Sequence, residues 1–495
     1  MASTCHLRLR KPALKFEVED EEEPVSPCSR IFHEPNFNIY VISIIATKIP
    51  INVDTFRFKL PSSIAKNPRM SSLQVVDEKT KQMKWVPTKV QIDNHITVPE
   101  IDVSSFVSSE KFVEDYVFNL SKTRFDPTKP MWDLHFLNVQ TAEAKGFVVL
   151  RIHHSLGDGA SLMSLFLSCC RQVANPEAMP TIPTKKRREV NSLDKSFGHL
   201  RWVWNLFLSL WWTILLLRNS AVDMFMFVLT ALFLSDTKTP LSSPPNVENL
   251  PRRFMWKTVS LNDMKLIKNA MNMTINDVAL GVTQAGISQY LNRKYGNPEE
   301  DNLPKNIRMR ATLLMNLRPV SGIQAMKDLL DKGNEDGWGN RTGNVLFPLT
   351  IQLRSDPLDY VRDAQALANR KKRSLEAFWC STISKVIYKL FGIKAASALS
   401  YRMDNQVSFS FSNVVGPMEE VAFLNHPVAF IAPSSSNLSH GLMINFQSYN
   451  DKMTVVVGFE ENTIADGDQL LNDIVYSLKL IKEAANDKLL ASKIH

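Results

Sequence analysis

Phe147, Val148, Val149, Leu150 and Ile152 form a short apolar run that leads directly into His153 and His154, and residues 155–159 then break it. On the far side Leu162, Leu165, Phe166 and Cys169 recur at i, i+3, i+4 and i+7, the core stripe of an amphipathic helix. This stretch commits the chain to a strand, a polar turn and a helix in immediate succession, and so to elements of both kinds around one point. A histidine at the end of a buried strand projects from a rigid support. Gly157 and Gly159 are expected to allow the turn that brings the Asp158 carboxylate back beneath it.

The chemistry follows from the residue types. A neutral imidazole, with a pKa near 6.5, is the side chain best suited to take a proton from a hydroxyl near neutral pH. No GxSxG nucleophile elbow accompanies the pair, so direct attack by a bound alcohol is simpler than a covalent intermediate. Read without the rest of the chain, His153-His154 is equally a satisfied structural pair.

The remaining sequence sets the frame. Its 495 residues, 44% hydrophobic and 22% charged, exclude a collagenous or wholly disordered protein and fit two large domains. The net charge of +8 suits an anionic partner such as a nucleotide-bearing co-substrate or a lipid surface. Five cysteines without a CxxC pair disfavour a disulfide framework or zinc knuckle and point to a reducing compartment. Residues 1–28 read as a disordered arm: Arg8, Arg10, Lys11 and Lys15 precede an acidic run, with no apolar segment of the secretory kind. Tyr40, Val41, Ile42, Ile44 and Ile45 read as a buried strand, and Trp85-Val86 and residues 90–98 as further strands.

After residue 180 a basic cluster, Lys185, Lys186, Arg187 and Arg188, precedes the most apolar part of the chain. Residues 202–217 carry no formal charge and as a helix would cover about 24 Å, short of the roughly 30 Å hydrocarbon core. A second run, residues 224–234, follows Arg218 and Asp223. One tilted span using both runs, a shallow hairpin or interfacial helix anchored by Trp202, Trp204, Trp211 and Trp212, and a soluble core helix all remain open; the tryptophans and basic flank favour membrane contact. Pro240, Pro244, Pro245 and Pro251 mark a linker. Beyond it Ile275, Val278, Ala279, Val282, Ala285 and Gly286 share a helical face, with Thr274 as N-cap. Val407, Phe409 and Phe411 alternate with serines, a hairpin turns at residues 450–452, and a last helix carries Leu470, Leu471, Ile474, Leu478 and Ile481. The division is thus an N-terminal domain over 29–180, a basic and apolar insert over 181–250, and a C-terminal domain over 251–495.

In the histidine run, His153-His154-Ser155-Leu156-Gly157-Asp158-Gly159, the chain resembles the CoA-dependent acyltransferase superfamily that shares HHxxxDG. Within it the chain most resembles the plant bifunctional wax ester synthase/diacylglycerol acyltransferases. The resemblance spans the chain after its N-terminal arm. It includes Pro24-Val25-Ser26-Pro27 with Arg30-Ile31-Phe32-His33, Asn67-Pro68-Arg69-Met70, Pro130-Met131-Trp132, Asn276-Asp277, Asn316-Leu317-Arg318-Pro319, Trp338-Gly339-Asn340 and Ser412 to Pro417. Asp336-Gly337-Trp338-Gly339 partly matches the DFGWG of plant HxxxD acyltransferases, but lies too far from the C-terminus for that motif.

The resemblance implies a two-domain α/β sandwich like chloramphenicol acetyltransferase, with a channel between the domains and His154 at its middle. It implies His154 as general base, His153 as an orienting neighbour, and Asp158 as a brace that turns from substrate to pair with an arginine. Asn276 would have an oxyanion or support role beside Asp277, although Asn-Asp at a helix start is also a capping device. The implied co-substrate is acyl-CoA, with no tightly bound cofactor and no metal. The acceptors are a long-chain fatty alcohol and diacylglycerol, the further partner a membrane lipid surface, and no nucleic acid is involved. Location follows as the endoplasmic reticulum membrane with the catalytic domains facing the cytosol, or the plasma membrane. The rival readings are a soluble acyltransferase acting on a phenolic or amine acceptor and a non-catalytic lipid-binding relic of the fold. Lys371-Lys372-Arg373 reads as a solvated helix face, with contact to CoA phosphates the alternative.

Overall fold

The computed structural model describes residues 23–102, 108–183, 198–244, 246–318 and 337–494. Two sheets organise them. The first has the strand order β4 (Ile96–Thr97), β5 (Trp132–Leu137), β6 (Gly146–His153), β1 (Tyr40–Thr47), β13 (His426–Ser436), β12 (Val421–Phe423) and β7 (Cys170–Gln172). The second runs β10 (Thr342–Thr350), β9 (Arg308–Asn316), β11 (Phe409–Val414), β14 (Leu442–Tyr449), β15 (Lys452–Glu460) and β8 (Arg252–Ser260). A separate hairpin pairs β2 (Ser72–Val76) with β3 (Met83–Pro87).

Helices cover the sheets: α1 (Pro27–Arg30), α2 (Val53–Lys59), α3 (Ser109–Ser121) and α4 (Gly159–Ser168) in the first half, then the long α5 (Gly198–Leu232). In the second half lie α6 (Leu261–Ala270), α7 (Ile275–Tyr295), α8 (Leu358–Lys371), α9 (Glu376–Asp404) and α10 (Gly467–Ile494). Every residue of β6 is buried, and β1 and β5 pair with it on either side, so the strand that delivers the histidines is held along both edges. The expected strand–turn–helix unit, the Tyr40 strand, the hairpin at Asn450-Asp451 and the last helix are all present.

Four expectations are corrected. The C-terminal unit does not keep to itself: β12 and β13 join the first sheet, β13 pairing antiparallel with β1. Without that crossover one edge of β1 would leave its backbone groups unpaired, so the chain closes the sheet with a strand from 380 residues further on or more. Residues 25–28, assigned to the arm, are ordered: Val25 is buried, its amide donates to the Met83 carbonyl at 2.8 Å, and α1 starts at Pro27; residues 1–22 lie outside the described residues. Residues 90–98 are mostly not strand. A 3₁₀ turn over Ile92–His95 leads into the two residues of β4, and it lets buried His95 stack on Trp132 at 4.2 Å. Finally, the two apolar runs of the insert are one 35-residue helix, α5, which rules out the hairpin reading and keeps the readings that run both through one helix. The Lys185 to Arg188 cluster, Pro245, Pro319 and Asp336 lie outside the described residues.

Candidate active site

β6 ends at His153, and the next three residues, His154–Leu156, make a single 3₁₀ turn. The two rings then meet different neighbours. His153 is fully buried, with Nδ1 on Ser155 Oγ at 2.6 Å and Nε2 on Asn38 Oδ1 at 2.9 Å. Burial, with His33 and His154 nearby, holds its pKa well below the usual value, so it stays neutral. Both nitrogens are engaged, which fits an orienting neighbour.

The His154 backbone N–H donates a hydrogen bond to the Ile39 carbonyl at 2.9 Å, and Phe32 stacks on its ring face at 4.4 Å. Its Nδ1 lies 3.2 Å from Asn340 Oδ1. Asn340 Nδ2 donates back to the His154 carbonyl at 2.8 Å and to Ser29 Oγ at 3.1 Å. Because that donation fixes which end of the amide is oxygen, the contact at Nδ1 must be an N–H donating to Oδ1. The Nε2 lone pair is therefore the free face of the ring, and no residue among those described bonds to it. Burial lowers the His154 pKa, with Asp158 and Asn340 opposing, so the ring is neutral near pH 7.

Asp158 faces away from this ring. Its Oδ1 accepts from the Ser161 amide at 3.0 Å as the N-cap of α4, and its Oδ2 accepts from Arg318 Nη1 at 2.8 Å and the Arg341 amide at 2.9 Å. Arg318 reaches further, donating to the carbonyls of Gly337 at 2.8 Å and Gly339 at 2.7 Å and to Ser161 Oγ at 2.9 Å. Trp338 Nε1 donates to the Leu156 carbonyl at 2.7 Å. The loop 337–341 from the second half is thus clamped onto the histidine loop of the first.

The two glycines do not serve as expected. Gly157 is extended (φ 168°) and Gly159 starts α4, so neither needs a left-handed backbone. Gly157 is needed for space: a Cβ there would lie 3.0 Å from Ser161 Cβ and 3.6 Å from Trp338. At Gly159 the nearest atom would be Val414 Cγ2, 3.9 Å away. Asn276 and Asp277 sit at the start of α7, and neither bonds to the histidine loop. Asp277 and Thr274 cap each other's amides at 2.9 and 3.2 Å, and Asn276 Oδ1 accepts from Asn413 at 3.4 Å. Asn340 and Trp338 were visible in sequence as a motif without a role. The signal for Asn340 was the invariant need of a neutral histidine for an acceptor at one nitrogen.

Two cavities flank the histidine pair. One of about 1070 Å³ is lined by Ser29, Ser155 and Asn340 together with Arg341, Lys385 and Lys389. The other, about 320 Å³, is lined by His33, Tyr40, Arg124, Met131 and His153. His153 and Ser155 thus face opposite cavities with His154 between them in the chain. His154 itself lines neither of these two cavities, so they do not show the expected channel with His154 at its middle, and Phe32 covers one face of its ring.

Residues 43–279 match the family model of the wax ester synthase/diacylglycerol acyltransferase catalytic domain, and residues 338–482 match the C-terminal domain of the same family. The chain belongs to the wax ester synthase/diacylglycerol acyltransferase family. It is 41% identical over 471 residues to wax ester synthase/diacylglycerol acyltransferase 11 of Arabidopsis thaliana, covering 94% of this chain and 96% of that one. To number 4 from the same plant it is 41% identical over 489 residues, covering 97% and 93%. Its fold is similar to that of the wax ester synthase/diacylglycerol acyltransferase from Marinobacter aquaeolei, with a TM-score of 0.59 at 15% identity, covering 94% of this chain and all of that one. It is also similar to trichothecene 15-O-acetyltransferase from Fusarium sporotrichioides, with a TM-score of 0.58 at 11% identity over 93% and 94% of the chains. The acyltransferase class and the two-domain α/β fold expected from the HHxxxDG resemblance are borne out, and acyl-CoA is the substrate this family uses.

Proposed function

We propose that this wax ester synthase/diacylglycerol acyltransferase family member transfers a long acyl chain from acyl-CoA to a fatty alcohol, giving a wax ester, and to diacylglycerol, giving triacylglycerol. The observation that carries the reading is the His154 tautomer: with Nδ1–H committed to Asn340, a neutral ring offers Nε2 as a base. Its relatives' names supply the acceptor classes.

In the proposed step an alcohol hydroxyl gives its proton to His154 Nε2 as its oxygen attacks the thioester carbonyl. The tetrahedral intermediate collapses to the ester, and the CoA thiolate recovers the proton from His154. Asp158 takes no proton in this scheme; paired with Arg318, it holds the loop that carries the base. The cation-lined larger cavity suits the phosphates of CoA, and the smaller one beside His153 suits the acceptor hydroxyl end. We place the enzyme on the cytosolic face of the endoplasmic reticulum, where both acceptors reside in the bilayer.

Product analysis tests this directly. Yeast-expressed enzyme given palmitoyl-CoA with hexadecanol, diacylglycerol or a phenolic alcohol should make wax ester most strongly and triacylglycerol next. Transfer to the phenol alone would assign the chain to the soluble phenolic class, and no transfer to any acceptor would support the lipid-binding relic.

A further inference from the structure

We infer that α5 and α9 form one monotopic lipid-docking face, in which α5 lies along a single leaflet without crossing it and α9 seats the mouth of the larger cavity on the membrane.

The first ground is that α5 is inside-out. The residues it buries are polar: Asn219, Ser220, Asp223 and Thr230. Most of those it exposes are apolar, among them Leu210, Trp211, Ile214, Leu217, Phe225 and Leu232, with Asn205, Ser209, Thr213 and Arg218 the exposed polar ones among the described residues before Asn219. A soluble helix has the opposite arrangement, and an exposed apolar face of this length is stable only against a non-aqueous phase.

The polar stripe also fixes where α5 goes. Asn219 donates to the Arg373 carbonyl at 3.1 Å, and Ser220 Oγ accepts from the Leu375 amide at 3.0 Å. Asp223 accepts from Arg370 at 2.8 Å and from Lys371 at 2.9 Å, and Lys371 reaches Glu376 at 2.6 Å. Thr230 Oγ1 accepts from Arg310 at 2.5 Å. Lys371 is accordingly a buried tether, not part of a solvated face as its sequence context suggests, and Arg373 lies over the Trp212 ring at 4.2 Å. Moving residues 219–230 into hydrocarbon would unpair these charges, at a cost of several kcal/mol for each ion. With that half held to the protein, residues 202–218 extend about 25 Å as a helix, less than the roughly 30 Å a crossing needs. The helix passes the length test for a span over Trp202–Leu232, but its fixed half is not available to make one.

The second ground is α9. No residue from 378 to 395 is buried, and Phe378, Trp379, Val386, Leu390 and Phe391 are exposed, the last two by 68% and 71%. The adjoining face of the same stretch, including Thr382, Lys385, Tyr388 and Lys389, walls the larger cavity. Between Glu376 and Asp404 at its ends α9 carries Lys385, Lys389, Lys394 and Arg402 and no acid. An apolar face fringed with cations complements the anionic headgroups and upper acyl region of a phospholipid leaflet. The two helices are joined as well: Phe227 and Ala231 of α5 pack with Leu399 and Met403 of α9.

This rests on the lipid-acceptor reading above for its consequence, which is that a water-insoluble acceptor enters the cavity across α9 directly from the leaflet. The binding itself is tested without acyl transfer. Purified full-length protein is floated with vesicles of phosphatidylcholine containing one-third phosphatidylserine. The wild type should float; Leu390→Glu with Phe391→Glu should cut the bound fraction at least fivefold at an unchanged melting temperature. Leu390→Met with Phe391→Leu should bind as wild type. Alkaline carbonate should strip the protein from membranes. Resistance to carbonate would establish a spanning α5 and overturn the inference. So would vesicle binding indifferent to the glutamate pair, or wild-type dimers in solution that the pair dissociates while vesicles go unbound, because the face would then belong to a second copy. If the vesicles bind as stated and no alcohol is acylated, the proposed activity fails and the docking face stands.

Discussion

Arg318 and Asp158 lie 160 positions apart in the chain and form a buried ion pair, Nη1 donating to Oδ2 at 2.8 Å with neither side chain more than 4% exposed. The same guanidinium binds two carbonyls of the 337–341 loop, so one side chain from the second half sets the shape of the histidine turn in the first. Removing it leaves an uncompensated carboxylate inside the protein. Arg318→Ala should therefore cost about 3–5 kcal/mol of unfolding free energy, measured by denaturant titration, and abolish activity with it. Arg318→Lys should recover only part of either, because a single ammonium cannot replace a forked set of donors.

Asn340 is expected to act through His154 alone. Asn340→Ala frees Nδ1 and lets the ring turn or take the other tautomer, so kcat should fall roughly tenfold to a hundredfold while KM for acyl-CoA changes little. Asn340→Asp, which keeps an acceptor at Nδ1 but loses the donor to the His154 carbonyl, should raise the pKa on the acidic limb of the rate profile. An unchanged limb would mean that this amide does not tune the base.

His154→Ala should lower turnover by about a hundredfold to ten-thousandfold in a protein that still folds, as judged by an unchanged circular dichroism spectrum. Near-full activity in that variant would remove His154 from proton transfer.

Gly157 and Gly159 should respond oppositely to alanine. At Gly157 the new methyl meets Ser161 Cβ at 3.0 Å, in the turn that Arg318 grips, so Gly157→Ala should cost about 1–3 kcal/mol. At Gly159 a methyl would make only an ordinary van der Waals contact, with Val414, on helical backbone, so Gly159→Ala should be neutral or stabilise by up to about 1 kcal/mol. Thermal melts of the pair decide it.

Acid should destabilise the fold through its buried histidines. Burial holds His33 down to about 4 and His440 to about 3, and lowers His153 and His154 as well. Each binds a proton in the unfolded chain near pH 6.5 but not in the folded one, so stability is complete above that pH. It falls by about 1.4 kcal/mol per pH unit for each such group as pH drops from 6.5 towards the folded value. Glu114 and Asp404, which burial raises to about 7, act in the opposite sense over part of this range, so the melting temperature should decline between pH 6.5 and 4.5 by the effect of the histidines less that of these two carboxyls.

Much of this was legible in the chain itself. A five-residue apolar run ending in His153-His154, followed by a helical stripe, is a local pattern, and local sterics and hydrogen bonding decide such elements. Thr274 as the cap of α7 was equally readable, because capping uses residues only three apart. The same locality explains why Asp277 reads two ways: a carboxylate at a helix start satisfies amides whether or not a substrate lies near, and only its bonds to Thr274 assign it.

What the sequence could not determine depends on partners far along the chain. It offered an arginine for Asp158 and a membrane-seeking helix, but not that the arginine is Arg318, that Asn340 selects the His154 tautomer, or that β13 completes the first sheet. Nor did it place the polar stripe of α5 against Arg370, Lys371 and Arg310, the contacts that hold the helix to the protein. Composition alone makes α5 membrane-seeking without deciding between a span and an interfacial helix, since hydropathy sums a helix's residues without regard to which face they occupy. Burial of charge is a property of the assembled structure. Only when residues 147 and 148 positions apart in sequence are brought together does Asp223 acquire the cations that let it leave water, and with them the reason α5 stays where it is.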